Sequence, residues 1–140
     1  MGVQALTGWL IVLTLVAALS TYLLKQIGRD YVKRLPREYA DFASTYRRFM
    51  KFMVGRHRFF GAAALIALAV HAYPVIARSF ISVSGLIAAF ILISTAAAGA
   101  WLFYGKRSLR SGLLPVHRAL AFLLLPAVII HLFYRVMIAF

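Results

Sequence analysis

The four histidines are the side chains of this sequence best suited to metal or proton chemistry. His57 and His71 are 14 residues apart, and so are His117 and His131. Fourteen residues of α-helix make almost four turns, so both members of such a pair share one face, about 21 Å apart along the axis. Imidazole nitrogens bind transition metals and exchange protons near neutral pH. The spacing therefore predicts two matched sites carried by two helices.

The composition indicates a membrane bundle as the scaffold for these sites. The chain has 140 residues, of which 64% are hydrophobic, and a net charge of +13. A soluble domain of this length could not bury so much apolar surface. Four stretches can span about 30 Å of hydrocarbon, at residues 3–24, 56–78, 83–104 and 113–140. We predict an all-α membrane protein with a single four-helix transmembrane domain over residues 1–140.

The distribution of basic residues predicts how the helices cross the membrane. Residues 25–58 carry ten of the 16 Lys and Arg, and the loop at 105–112 carries three more. By the positive-inside rule, loops 25–55 and 105–112 are cytoplasmic and both termini lie outside. We expect a multi-pass protein of a prokaryotic cytoplasmic membrane. Helices two and four then run in the same direction, which pairs His57 with His117 near the inner face and His71 with His131 near the outer face.

Residues 36–53 form an amphipathic pattern before the second span. Its apolar positions recur at steps of three and four residues: Tyr39, Phe42, Tyr46, Phe49 and Met53. This pattern predicts a helix on the cytoplasmic surface. The alternative is that the segment extends the second helix, since only Gly55 separates the two. The aromatic face could border a quinone pocket, although anchoring in lipid is the favoured interpretation.

Each histidine pair suits the two axial positions of a haem. Two diagonal helices of a bundle can offer one imidazole each from opposite sides of a flat macrocycle. The chain has no cysteine, which excludes iron–sulfur ligation and covalent haem attachment. Zinc or copper is less favoured because no third ligand joins either pair. The remaining alternatives are helix–helix hydrogen bonding and proton relay. We predict two b-type haems, at His57/His117 and His71/His131.

Glycine and arginine residues accompany both predicted sites. Gly85 and Gly99, also 14 residues apart, lie at the depths of the two pairs and would leave room for a large ring; the alternative is helix packing. Arginines that could bind haem propionates flank the inner pair at Arg56, Arg58 and Arg118, and the outer pair at Arg78 and Arg135. The same arginines could equally serve only the positive-inside rule and snorkelling.

The histidine motifs resemble those of a known group of membrane proteins. The residues concerned are R-H-R-F-F-G at 56–61 with His71, and H-R at 117–118 with His131. They resemble the di-haem membrane cytochromes b, including the helix bundle of quinol–cytochrome c oxidoreductases and the transmembrane part of ferric-reductase-like proteins. The 140 residues contain no glycine-rich dinucleotide fingerprint. We therefore expect other subunits to deliver and remove the electrons.

The residues and the resemblance together predict an electron-transfer function. We expect a di-haem cytochrome subunit that carries electrons across the membrane between quinone, peripheral redox subunits, or both, in a respiratory-type complex. Six-coordinate haems leave no open iron position, so no catalytic residue is predicted. The alternatives are a stand-alone quinol-oxidising or ferric-reductase-like membrane enzyme and a non-redox assembly or proton-handling protein. Lipid is an expected partner, and nucleic acid is not.

Overall fold

Four long α-helices make up nearly all of the fold. The computed structural model describes residues 2–77, 80–134 and 137–139. The helices are α1 (Val3–Asp30), α2 (Ala40–Ile76), α3 (Val83–Tyr104) and α4 (Arg110–Phe133). Short 3-10 turns at Val32–Arg34, Arg37–Tyr39 and Arg107–Leu109 complete the connections. All four helices are long and apolar enough to cross a membrane. The predicted all-α class is confirmed, and the chain is a multi-pass membrane protein.

The helices pack as two antiparallel hairpins. α1 packs along α2, and α3 packs along α4, with a smaller contact between α2 and α3. Thr21 contacts His57 while Thr7 contacts His71, which fixes the antiparallel register of α1 and α2. Histidines of α2 and α4 meet at both levels of the bundle. α2 and α4 therefore run in the same direction, and this direction places the two histidines of each pair at the same depth.

The two ends of the bundle differ in charge and in structure. We call the end that holds residues 25–55 and 105–112 the basic end. At the opposite end, β1 (Phe80–Ser82) pairs antiparallel with β2 (Met137–Ala139). The fourth helix was predicted to continue to residue 140, and this is wrong. It ends at Phe133 because Tyr134 leaves the helical conformation at φ −125° and ψ 90°, and the following backbone bonds to β1 instead.

The segment predicted as an interfacial helix belongs to α2. The helix runs unbroken from Ala40 through Gly55 to Ile76, so a separate surface helix over 36–53 is wrong and the extension is correct. α1 is also longer than the predicted span, and it gives this extension a partner. The Tyr46 hydroxyl donates to the carbonyl of Leu24 at 2.7 Å. Gly28 leaves room for the side chain of Met50, because a Cβ on residue 28 would lie 3.2 Å from Sδ of Met50.

The buried core lies midway between the two histidine levels. Its cluster consists of Ile11, Ala64, Ala67, Leu92 and Leu124. Ala64 is seven residues from both His57 and His71, and Leu124 is seven residues from both histidines of α4. Large apolar side chains are exposed on the outside of all four helices, which suits contact with lipid. We call the buried cluster the central layer.

Candidate functional site

The structure brings the four histidines together as two pairs. The rings of His57 and His117 have centroids 6.1 Å apart and planes at 81°. The rings of His71 and His131 have centroids 6.4 Å apart and planes at 88°. All four residues are partly buried. In each pair α2 supplies one imidazole and α4 supplies the other, which is the combination expected from the topology.

The separation within each pair matches two imidazoles on opposite sides of one metal ion. A metal–imidazole bond is about 2.0 Å and a ring nitrogen lies roughly 1.1 Å from its centroid, so two such ligands place their centroids about 6.2 Å apart. The observed 6.1 and 6.4 Å lie on either side of that value. Two imidazoles in direct hydrogen bond would have centroids about 5.1 Å apart, given an N···N distance of about 2.9 Å. The geometry therefore fits a shared metal better than direct contact.

Helix α1 orients both histidines of α2. Nδ1 of His57 lies 3.2 Å from the carbonyl oxygen of Ala18, and Nδ1 of His71 lies 3.0 Å from that of Gln4. A carbonyl can only accept, so Nδ1 carries the proton in both rings. The hydroxyls of Thr21 and Thr7 lie within 3.2 and 3.3 Å of the same nitrogens. Nε2 is left with a lone pair, which is the form that binds a metal.

Helix α3 and the residues before it orient the histidines of α4. Nδ1 of His117 donates to the carbonyl oxygen of Thr95 at 2.9 Å. Nδ1 of His131 lies 3.3 Å from Oγ of Ser84 and 3.5 Å from Oγ of Ser82. Hydrogen bonds of this kind fix the tautomer and the ring plane of metal-binding histidines. Each histidine-bearing helix therefore has its own orienting helix, and the orienting helix is its hairpin partner.

Glycines of α1 and α3 make room for the imidazole rings. A Cβ on Gly99 would lie 3.1 Å from Cε1 of His117, and one on Gly85 would lie 3.0 Å from Cε1 of His131. A Cβ on Gly8 would lie 3.3 Å from Cε1 of His71. These distances are too short for an ordinary methyl contact, so glycine lets the rings lie close to the neighbouring helix. Clearance of a macrocycle by Gly85 and Gly99 stays a prediction.

Sequence reasoning missed the contribution of α1 to both sites. Thr7 and Thr21 are 14 residues apart, the same spacing as the histidines. A search for that spacing among the polar residues of the first span would have found them. The carbonyl groups of Gln4 and Ala18 leave no signal in the sequence, because every residue has a carbonyl. Gly8 has no glycine counterpart 14 residues later, where Tyr22 stands.

The predicted propionate-binding arginines stack on aromatic rings near the inner pair. The guanidinium carbon of Arg58 lies 4.7 Å from the ring centroid of Phe103, and that of Arg118 lies 5.7 Å from that of Tyr22. Arg56 lies over two phenylalanine rings of its own helix. Cation–π contacts hold these charges without neutralising them, so binding of propionates stays a prediction. Arg78 and Arg135 lie outside the described residues.

The donor set at each level consists of two imidazoles. Over residues 2–77, 80–134 and 137–139, no group of three or more His, Cys, Asp or Glu side chains converges. The three acidic residues of the chain, Asp30, Glu38 and Asp41, all belong to the basic end. A two-imidazole site suits an ion whose remaining ligands come with a prosthetic group, whereas protein zinc sites use three or four side chains.

The comparisons with known proteins give no match. No family model matches the chain, and neither a curated protein nor a solved structure matches it. The function is therefore inferred from the chemistry of the two histidine pairs.

Proposed function

We propose that this chain is a b-type di-haem cytochrome subunit that carries electrons across a membrane. The observation that supports it best is the separation of the two imidazole pairs, 6.1 and 6.4 Å between centroids. Both values fit a bis-histidine metal, and hydrogen bonds at Nδ1 leave Nε2 for the ion. His57 and His117 would hold the inner haem, and His71 and His131 the outer one.

Each group of residues has a distinct part in this proposal. α2 and α4 deliver the ligands, while α1 and α3 fix the ring planes and the tautomers. With two imidazoles per iron, a haem supplies one-electron transfer and has no open position for substrate. The 14-residue spacing sets the two levels about 21 Å apart along the helix axes. The chain thereby provides redox positions near both faces of the bilayer.

The basic end indicates the orientation and the partners in this proposal. The positive-inside rule places loops 25–55 and 105–112 in the cytoplasm and both termini outside, in a prokaryotic cytoplasmic membrane. Electrons would be exchanged with quinone or with peripheral redox subunits. A cytoplasmic partner with an acidic surface would be attracted to the basic end.

A proton relay between the paired histidines is less consistent with the geometry. A direct relay needs the two rings in hydrogen-bond contact, with centroids about 5.1 Å apart. The observed separations are larger by about 1 Å in both pairs. At Nδ1, His57, His71 and His117 are bonded to backbone carbonyls, which accept hydrogen bonds and do not release protons.

Optical spectroscopy with haem quantification tests the proposal. The purified protein is expected to show a reduced-minus-oxidised spectrum of b-type haem and two haems per chain. His71→Ala is expected to remove one haem and leave the other, because His57 and His117 lie on a separate level. Tyr73→Phe, an exposed position on the same helix, should retain both. Absence of any b-type band, or two haems in His71→Ala, would contradict the proposal.

A further inference from the structure

A cavity of about 460 Å³ lies at the basic end, between α1 and α2. The residues that line it are Lys25, Gly28, Arg29, Val32, Lys33, Arg47 and Met50. The first five come from the last part of α1 and the turn that follows it, and the other two come from the extension of α2. We call this space the basic cavity.

Four positive charges surround the basic cavity with little compensation. Nε of Arg29 lies 3.1 Å from a carboxylate oxygen of Asp30 in an exposed pair, which neutralises little in water. Lys25, Lys33 and Arg47 form no ion pair with any residue that the structure describes. Like charges around one concave space repel each other, and a bound anion relieves that repulsion. The charge pattern therefore points to an anionic ligand.

The floor and the surroundings of the basic cavity are apolar. Val32 is only 6% exposed, and Met50 packs against Gly28. The stretch at 3–24 has no charged residue, so Lys25 is the first cation after the apolar span of α1. A ligand there would place an anionic part among the cations and an apolar part along α1.

The basic cavity is separate from the inner histidine pair. Its lining includes none of the residues that hydrogen-bond His57, namely Ala18 and Thr21. Lys25 is four residues beyond Thr21, about 6 Å along the helix, and the other cations lie farther still. The ligand of the cavity is thus not required by the haem sites, and the inference does not depend on the proposed function.

We propose that the basic cavity binds the headgroup of an anionic phospholipid. Lys25, Lys33 and Arg47 would donate to its phosphate, and its acyl chains would lie along the uncharged span that precedes Lys25. Basic cavities between membrane helices recognise lipid phosphates in this way. A protein partner is a poorer fit, because the space is concave and adjoins the apolar span, where an acidic protein surface could not follow. The lipid would join the ends of α1 and α2.

Native mass spectrometry of the full chain tests this proposal. The protein is released from vesicles that contain phosphatidylglycerol and phosphatidylcholine, and the retained lipids are counted. The unaltered chain is expected to retain phosphatidylglycerol selectively. The triple variant Lys25→Gln, Lys33→Gln and Arg47→Gln should lose about tenfold or more of that preference, since each cation near a membrane surface contributes to anionic lipid binding.

A matched triple variant supplies the control. Arg34→Gln, Arg37→Gln and Lys51→Gln remove the same charge from exposed positions of the same segment that do not line the cavity. The control should keep the preference within about twofold, since its cations only add to the general surface field. Equal loss in both triples would show that diffuse surface charge attracts the lipid, and this would overturn the proposal. Unchanged selectivity in the cavity triple would overturn it too.

Two further measurements keep the test interpretable. Helical circular dichroism and haem content should be the same in both triples, since neither set hydrogen-bonds His57, His71 or His117. If the cavity triple does not fold, the single variants Lys33→Gln and Arg47→Gln should each show part of the loss. Full retention of the preference in both singles would then count against the proposal. Absence of haem from the unaltered chain would count against the proposed function and not against lipid binding.

Discussion

At the scale of single residues, hydrogen bonds at Nδ1 tune the donor strength of the paired imidazoles. His117 donates to a backbone carbonyl, and the hydroxyls of Ser82 and Ser84 lie beside Nδ1 of His131. A strong acceptor at Nδ1 makes Nε2 a better electron donor to a metal, which favours the oxidised ion. The hydroxyls of Thr7 and Thr21 add a second acceptor to the histidines of α2. These hydroxyls can be removed without changing the shape of the side chain.

In the proposed di-haem form, Thr21→Val is expected to raise the reduction potential of the inner haem and to leave that of the outer haem unchanged. Loss of one acceptor worth about 1 kcal/mol corresponds to roughly 40 mV for a one-electron couple. Thr7→Val should shift only the outer haem, in the same direction. A potentiometric titration of the optical spectrum measures both. Thr14→Val is the control, because its hydroxyl bonds only to carbonyls of its own helix. An equal shift of both haems by either variant would contradict the assignment.

Gly99→Ala is expected to lower the occupancy of the inner haem selectively. The new Cβ would meet Cε1 of His117 at 3.1 Å and would push the ring away from α3. Gly85→Ala should affect the outer haem in the same way. Haem content per chain, resolved by redox titration, is the measurement. Gly61→Ala should retain both haems, because a Cβ there meets nothing within 4 Å. Retention of full occupancy by both tested variants would show that the close approach is not needed.

At the scale of elements, the near-perpendicular ring planes follow from the packing of the helices. Each ring is oriented by a different neighbour: α1 orients the histidines of α2, and α3 orients those of α4. The resulting interplanar angles are 81° and 88°. Perpendicular axial ligands leave the two metal d orbitals that interact with them nearly equal in energy. Parallel ligands would separate those two orbitals.

Electron paramagnetic resonance of the proposed di-haem form, once oxidised, is expected to show strongly anisotropic low-spin ferric signals from both haems. The near-equal orbital energies of perpendicular imidazoles produce this spectrum. Haem-free protein gives the baseline spectrum, and His71→Ala should show only the signal of the inner haem. Well-resolved rhombic signals, which parallel imidazoles give, would show that the rings are not perpendicular when haem is bound.

The sequence alone predicted the four helices and the pairing of the histidines, but not every helix end. Hydropathy located all four helices, and the charge pattern led to the pairing of His57 with His117 and of His71 with His131. The length of α2 could not be predicted, because an amphipathic face fits a lipid surface and a neighbouring helix equally well. The contact of Tyr46 with α1 decides between them. The end of α4 depends on pairing between distant strands, which no local pattern encodes.

At the scale of the whole molecule, the charges and the histidines divide the bundle along its length. The basic end carries all three acidic residues and most of the cations. The histidine levels follow within the apolar part, and the short strands close the opposite end. The orienting groups of α1 escaped prediction because backbone carbonyls act there, and only the register of two packed helices brings them to Nδ1.

The central layer has an electrical consequence for the proposed function. Ala64, Leu92 and Leu124 bring no hydrogen-bonding side chain between the two levels, so they offer no support for a chain of water. Two levels about 21 Å apart in about 30 Å of hydrocarbon differ by roughly 0.7 of the voltage across the membrane. One electron then differs in energy between the levels by about 1.6 kcal/mol per 100 mV. A membrane voltage of about 100 mV would thus change the equilibrium distribution of one electron between the two levels more than tenfold.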